Sequence, residues 1–191
     1  MQTPNLNQNN GSRIVLIGST SVGKTSLIPR IVEHKFDQFT TPTTGTSFFP
    51  YTTGNPDHPT VQLWDTAGME RYRALNRVFF REAVGAILVF DLTNYQSFEE
   101  LNSWLNEFIT ESPPNSVVVL AGNKSDLSEK IAVTDEEIEA FQNEHQLKYF
   151  QTSAATGENV DDMLHFLLSI LPKTTVETTA LEPPDNEGGC C

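Results

Sequence analysis

Cysteine is nearly absent from the chain, and the two present, Cys190 and Cys191, are its last two residues. That leaves no pair for a core disulfide, no ligand set for a zinc ribbon and no thiol nucleophile, a usage that fits a reducing compartment. Positive charge is scarce too. Twelve Lys and Arg face 25 Asp and Glu, a formal charge of −13, which excludes a protein that grips nucleic acid through its phosphates. No apolar run approaches the ~18 residues that a membrane span needs. The opening residues MQTPNLNQNNGS hold no signal-peptide core, and Gln2 stands where myristoylation needs glycine. The four histidines, His34, His58, His145 and His165, are scattered and make no metal-site spacing. No internal repeat is visible. What remains is ordinary for a globular protein: 38% hydrophobic and 19% charged residues rule out wholesale disorder. A length of 191 residues suits one domain around one core.

Residues 1–12 are rich in Asn and Gln and are expected to be disordered. Residues 172–191 hold three Pro, two Gly and several Thr, which predicts a flexible tail with Pro172 as the stop signal of a last helix. The ordered domain is therefore expected over 13–171. Four short apolar runs, Ile14–Ile17, Ala86–Phe90, Val117–Ala121 and the weaker Lys148–Thr152, predict strands of a parallel sheet covered on both faces. Phe48–Tyr51 and Val61–Trp64 flank a Gly/Asn/Pro/Asp segment and predict an antiparallel hairpin, with Pro50 marking an edge strand. Helical spacing links Glu99, Leu101, Trp104, Leu105, Phe108 and Ile109, then Ile138 and Phe141, then Val160, Met163, Leu164, Leu167 and Leu168. Strands alternating with helices predict a doubly wound α/β sheet.

The first strand runs into Gly18-Ser19-Thr20-Ser21-Val22-Gly23-Lys24-Thr25, a full match to G-x-x-x-x-G-K-[ST]. Glycines let the backbone curl so that successive N–H groups face phosphate oxygens, and the next helix adds its positive N-terminal end. Lys24 supplies a point charge for the β- and γ-phosphates, and Thr25 a hydroxyl for Mg²⁺. The loop alone leaves ATP and GTP open. Pro29 falls about five residues into the following helix, where an interior proline costs about 3 kcal/mol and predicts a kink. Asn123-Lys124-Ser125-Asp126 follows the Val117–Ala121 strand. Asp126 is placed to accept from the two donors on the guanine edge, N1 and the 2-amino group. Adenine lacks that pair and would leave a buried carboxylate unpaired. Thr152-Ser153-Ala154 adds a backbone N–H, at Ala154, for the guanine O6.

With these motifs the chain resembles the Ras superfamily of small GTPases from about Arg13 to Leu171. The resemblance implies a P-loop NTPase fold of the small G-protein kind, α/β, with a six-stranded mostly parallel sheet, one antiparallel edge strand and five flanking helices. It implies guanine-nucleotide contacts from Ser19, Ser21, Val22, Gly23, Lys24, Thr25 and Ser26 in the loop, and from Asn123, Lys124, Asp126, Ser153, Ala154 and Ala155 around the base. Phe36 falls where the family stacks an aromatic ring on guanine, and Ala155 where it usually has Lys. Thr43, 19 residues after Lys24, has the spacing of the threonine that joins Thr25 and Asp65 around Mg²⁺ in the GTP state. Neighbouring threonines at 40, 41 and 44 make the choice ambiguous, and spacing favours Thr43. In Asp65-Thr66-Ala67-Gly68 the Gly68 N–H is expected to sense the γ-phosphate, and loss of that phosphate relaxes both switch loops. The family's water-orienting Gln is replaced by Met69. A thioether is at best a weak acceptor and cannot donate, so the catalytic set, Lys24, Thr43, Gly68 and Met69, implies slow intrinsic hydrolysis of GTP.

Trp64-Asp65-Thr66-Ala67-Gly68-Met69-Glu70-Arg71-Tyr72-Arg73 looks like the Rab signature apart from Met69. Phe48, Trp64 and Phe79 stand where Rab proteins carry an aromatic triad that reports nucleotide state, beside the switch positions Thr44, Gly45 and Tyr72. The terminal Cys190-Cys191 pair resembles the Rab double-prenylation signal. The tail from Pro172 has one Lys against four acidic residues, so an anionic surface repels it and both lipids are needed. The resemblance thus implies a switch in vesicle traffic, reversibly attached by prenyl groups to the cytosolic face of an endomembrane. It implies an exchange factor, a GTPase-activating protein, a GDP-dissociation inhibitor, an escort protein and effectors as partners, no nucleic acid, and a monomer. Two alternatives stay open: a GTP-binding scaffold with negligible hydrolysis, and a soluble transport GTPase of the Ran kind. Arg73, Arg77 and Arg81 share one helix face, read equally as a solvated face or as a steering patch for acidic partners.

Overall fold

Aliphatic residues that alternate between two faces build the centre of the molecule. The computed structural model describes residues 11–38, 43, 45–66 and 73–172, the side chains of 73–76 excepted. Strand β1 (Ser12–Ile17) has Ile14, Val15, Leu16 and Ile17 fully buried. Ile14 and Leu16 pack with helix α1 (Lys24–Glu33) and helix α6 (Val160–Ile170), whereas Val15 and Ile17 pack on the opposite side. Strand β4 (Ala83–Asp91) repeats the division, with Ile87 and Val89 toward α1 and α6 and Ala86, Leu88 and Phe90 toward the other layer. That layer is helix α2 (Arg73–Phe80), the short α3 (Tyr95–Glu99), α4 (Leu101–Glu111) and α5 (Asp135–His145). The period of two, buried on both sides, is why these strands read as unbroken apolar runs.

The hairpin is β2 (Ser47–Thr52) and β3 (Thr60–Asp65), antiparallel, with Phe48 opposite Trp64. Strands β5 (Val117–Asn123) and β6 (Lys148–Gln151) complete a six-stranded sheet of order β2-β3-β1-β4-β5-β6. Every pairing except β2 with β3 is parallel. Pro50 lies on β2, the edge strand, where its missing N–H costs the sheet no inner ladder bond. This is the small G-protein architecture expected above. Helices α3 and α4 abut at Glu100, whose φ of −78° and ψ of −8° keep it nearly helical, so they form one bent helix and the flanking helices number five among the described residues.

Helix α1 runs from Lys24 to Glu33 without a break at Pro29, the position where the sequence predicts a kink. Proline removes one donor near the first turn, and burial of Leu27, Ile28 and Ile31 against the sheet holds the helix together. Of the arginines read equally as a solvated face or a steering patch, Arg77 on α2 has its Nε 3.2 Å from Glu107 Oε1, and Arg81, just past the helix end, has its Nε 3.6 Å from Glu111 Oε2, both acceptors on α4. Both arginines stay exposed, and the pairs offset part of the charge that a steering patch would use. Residues 1–12 are expected to be disordered, yet Ser12 already pairs in β1; residues 1–10 and 173–191, also expected to lack order, lie outside the described residues.

Candidate functional site

The chain leaves β1 toward β3 on one side and returns through β4 on the other, so the carboxyl ends of the strands open a crevice there. A cavity of about 550 Å³ occupies it, a size that suits a small ligand. Residues 18–23 form its floor. Ser21 adopts φ +65° and Gly23 φ +103°, the left-handed region that curls successive N–H groups to one side. A Cβ on Gly23 would run into the side-chain amide of Asn123, and one on Gly18 into the Val89 carbonyl, so both positions require glycine. Helix α1 then starts at Lys24 and turns its N-terminal end to the cavity.

Lys24 is buried, and its Nζ donates to the carbonyls of Gly18 at 2.7 Å and Ser19 at 2.8 Å. Burial pushes its pKa down to about 8, against the Asp65 carboxylate, which raises it. Asp65, at the end of β3, is buried as well. Desolvation lifts its pKa above the ordinary carboxylate value, and the hydroxyl of Thr25, the charge of Lys24 and the hydroxyl of Thr43 oppose that rise. Both shifts describe charges brought together without water, a state that an anion near Lys24 and a cation near Asp65 would relieve.

Three oxygens converge from separate segments. Thr25 Oγ1 lies 2.6 Å from Thr43 Oγ1 and donates to Asp65 Oδ2 at 2.8 Å, and Thr43 Oγ1 is 3.3 Å from the same oxygen. Neighbouring ligands in a magnesium octahedron are about 2.9 Å apart, and the ion takes hard oxygens with one or two carboxylates plus phosphates. Asp65 Oδ1 is buried and has no hydrogen-bond partner among the described residues. The donor set therefore fits Mg²⁺. Among the described residues no group of three His, Cys, Asp or Glu offers another site.

The far end of the cavity is built from the ends of β5 and β6. Asn123 Nδ2 donates to the Val22 carbonyl at 2.8 Å, and its Oδ1 accepts from the Ala154 N–H at 3.1 Å. One side chain thus ties the phosphate-type loop to the segment after β6. Lys124, at φ +69°, donates to Ser21 O at 2.8 Å and pairs with Asp91 at 2.6 Å. Ser153 Oγ donates to Asp126 Oδ1, which aims the carboxylate. Phe36 stands at the cavity wall, 42% exposed.

Ser21, Gly23, Lys24, Thr25, Ser26, Phe36, Thr43, Asn123, Lys124, Asp126, Ala154 and Ala155 line this one cavity. Val22 and Ser153 are buried behind it. The Ser19 hydroxyl turns away, donating to Glu100 and accepting from Trp104 Nε1 at 3.2 Å. The Ala154 N–H, expected to meet a base oxygen, here donates to Asn123. Thr20, Asp37, Gln38, Thr66 and Leu127 also line the cavity without having been singled out as contacts; each is inside or next to a motif residue, which is the signal that would have found them. Phe48, Trp64 and Phe79 form a continuous stack with centroids 5.2 and 5.1 Å apart. Arg13, which no motif marks, caps it, with its guanidinium 4.4 Å from the Trp64 ring centre. Gly45 is exposed just before β2. Thr44, Gly68, Met69, Tyr72, Cys190 and Cys191 lie outside the described residues. Among the described residues no helix is long and apolar enough to cross a membrane.

Known proteins match along nearly the whole chain. The sequence model of the Ras family matches residues 13–173. "Ras-related protein RABF2a" of Arabidopsis thaliana is 38% identical over 184 residues, 96% of this chain and 88% of that protein. "Ras-related protein RABF2b" of the same plant is 37% identical over 194 aligned residues, 97% of each.

Proposed function

Because the chain belongs to the Ras family, as a small GTPase of the Rab kind, we propose that it is a Mg²⁺-dependent GTP/GDP switch that recruits effectors in vesicle traffic and turns itself off slowly. The observation that carries this reading is the meeting of three part-sites at one cavity: the loop with Lys24, the Thr25 and Thr43 hydroxyls with Asp65 buried behind them, and the base end with Asn123 and Asp126. Lys24 and the loop N–H groups take the β- and γ-phosphates. Thr25, Thr43 and Asp65 hold Mg²⁺, which when bound neutralises phosphate charge. Asp126 reads the guanine edge, Phe36 stacks on it, and Gly68 and Thr43 make the two switch loops sense the γ-phosphate.

In this reading residues 13–171 are the switch domain, 1–12 and 172–191 are its extensions, and Cys190 and Cys191 carry two prenyl groups to the cytosolic face of an endomembrane. An exchange factor, an activating protein, a GDP-dissociation inhibitor and an escort protein act on a monomer. The base assignment is tested by Asp126→Asn, which replaces an acceptor by an amide that can donate. Equilibrium binding should move from GDP toward the xanthine nucleotide, which presents an acceptor at the same edge. An unchanged preference would overturn the assignment.

Met69 favours a second reading, a GTP-binding module with negligible hydrolysis, because the position next to Gly68 holds no group that can donate to water.

A further inference from the structure

Arg30 is a cation of α1 whose side chain ties the end of its own helix to the 154–155 stretch of the cavity wall. It sits half-buried near the helix end. Its Nε donates to the Ala154 carbonyl at 2.8 Å and its Nη2 to the Ala155 carbonyl at 2.6 Å. Its Nη1 donates to the His34 carbonyl at 2.9 Å. All three acceptors are main-chain oxygens, taken by a planar group that holds several acceptors in a fixed fork.

These carbonyls belong to the two stretches that flank the base end. Ala154 and Ala155 line the cavity on one side, and His34, at φ +54°, ends α1 and turns the chain toward Phe36 on the other. A trans peptide points its C=O and N–H in opposite directions. Fixing the Ala154 carbonyl on Arg30 therefore also fixes the direction of the Ala155 N–H, the donor that follows the Ala154 N–H engaged by Asn123 and the one left to meet the 6-oxo edge, and fixing the Ala155 carbonyl sets the next plane. Gly157, at φ +89°, packs beside the Arg30 side chain, with room for a Cβ only in contact with Arg30 Cδ at 3.5 Å. The aiming of a backbone donor is worth as much as the donor itself, since a misdirected N–H makes a poor bond.

We propose that Arg30 is a positioning residue for base recognition: one guanidinium clamps the 154–155 loop and the turn before Phe36 in the register that grips the 6-oxo edge of guanine. The proposal rests on the guanine-nucleotide reading above and adds a determinant that touches no nucleotide atom. It separates two edges of the base. The 6-oxo group depends on the clamped backbone, whereas the 2-amino group depends on Asp126, which Arg30 does not touch.

The test uses the full chain, as wild type, Arg30→Ala and Arg30→Lys, with GDP, its 6-thio analogue and inosine diphosphate in the presence of Mg²⁺. The 6-thio analogue weakens the acceptor at position 6, and inosine diphosphate removes the 2-amino group. Arg30→Ala should speed GDP dissociation about tenfold, the factor worth one charge-assisted hydrogen bond. Its preference for GDP over the 6-thio analogue should collapse while its preference for GDP over inosine diphosphate stays. Arg30→Lys keeps the charge but holds fewer carbonyls, so it should fall between, and it carries the test if the alanine variant unfolds. GDP dissociation unchanged in both variants, or both preferences falling in parallel, would overturn the proposal. A wild type that binds no guanine nucleotide would overturn the parent reading and this one together, whereas a binding wild type with indifferent variants overturns only the role of Arg30.

Discussion

Asn123 shows how much of the site a single residue can organise. Its amide is buried and satisfied on both sides, by the Val22 carbonyl and the Ala154 N–H, so it joins segments about 100 and 30 positions away in sequence. The adjacent Asp126 is aimed by Ser153. Catalysis is a separate residue-scale question, and Met69 poses it. In phosphoryl transfer the protein contributes positioning and electrostatics, and a group that orients water must accept from it or donate to it. A thioether does neither well. Met69→Gln should therefore raise single-turnover GTP hydrolysis by an order of magnitude or more, about the effect of one positioned group. Equal rates would mean that Met69 only packs. At this scale the motifs were legible because each chemical role demands a residue type at a fixed spacing, as Lys24 and Thr25 do. Arg13 and Arg30 were not, because a cation that serves by reaching a ring or a carbonyl on another segment obeys no local spacing.

Helices and strands were legible where burial imposes a period. β1, β4 and β5 lie at the expected apolar runs, extended at their ends by polar or small residues such as Ser12, Gly85 and Asn123 that an apolar pattern does not mark. What the sequence hid is the pairing between elements. The arginine stripe of α2 is visible, but its acceptors, Glu107 and Glu111, sit 30 residues on in α4. Such exposed pairs contribute at most about 1 kcal/mol, so they matter more as neutralised charge than as stability. Helix α5 makes a testable element. Thr134 caps it, and Glu137 returns a carboxylate to the Thr134 N–H at 3.0 Å while accepting from Tyr95 OH at 2.8 Å. The Thr134 N–H, then the Tyr95 and Thr134 hydroxyls, hold the Glu137 carboxyl below its ordinary value. A carboxyl with a depressed folded pKa contributes stability that is present above its unfolded pKa and lost as pH falls through the folded one. Thermal unfolding followed from about pH 6 to about pH 3.5 should therefore fall less steeply for Glu137→Gln than for wild type. Parallel curves would show that the cap carries no titrating contribution.

The whole molecule combines a sheet order no local pattern encodes with a charge that every part shares. Order β2-β3-β1-β4-β5-β6 places β1 at the centre, and that is a long-range choice; the family resemblance implied the strand count and the antiparallel edge, and neither it nor the strand patterns gave the order. Charge argues about attachment instead. The chain carries −13, and its last twenty residues have one Lys against four acidic side chains. A basic residue near an anionic membrane is worth about 1 kcal/mol of attraction, so this tail loses where a polybasic tail gains. One lipid chain alone binds a membrane marginally and reversibly, and stable anchoring takes two signals. In the proposed attachment, with the electrostatic signal reversed, the second signal is a second lipid, carried by the Cys190 and Cys191 pair. Cys190→Ser and Cys191→Ser should each shift the protein from the membrane pellet to the supernatant in fractionated cells, as strongly as the double substitution. A basic substitution series in the tail, Glu182→Lys with Asp185→Lys and Glu187→Lys, should restore part of the binding of either single variant by returning the missing attraction. Single variants that stay fully in the pellet would show that one lipid suffices against this charge.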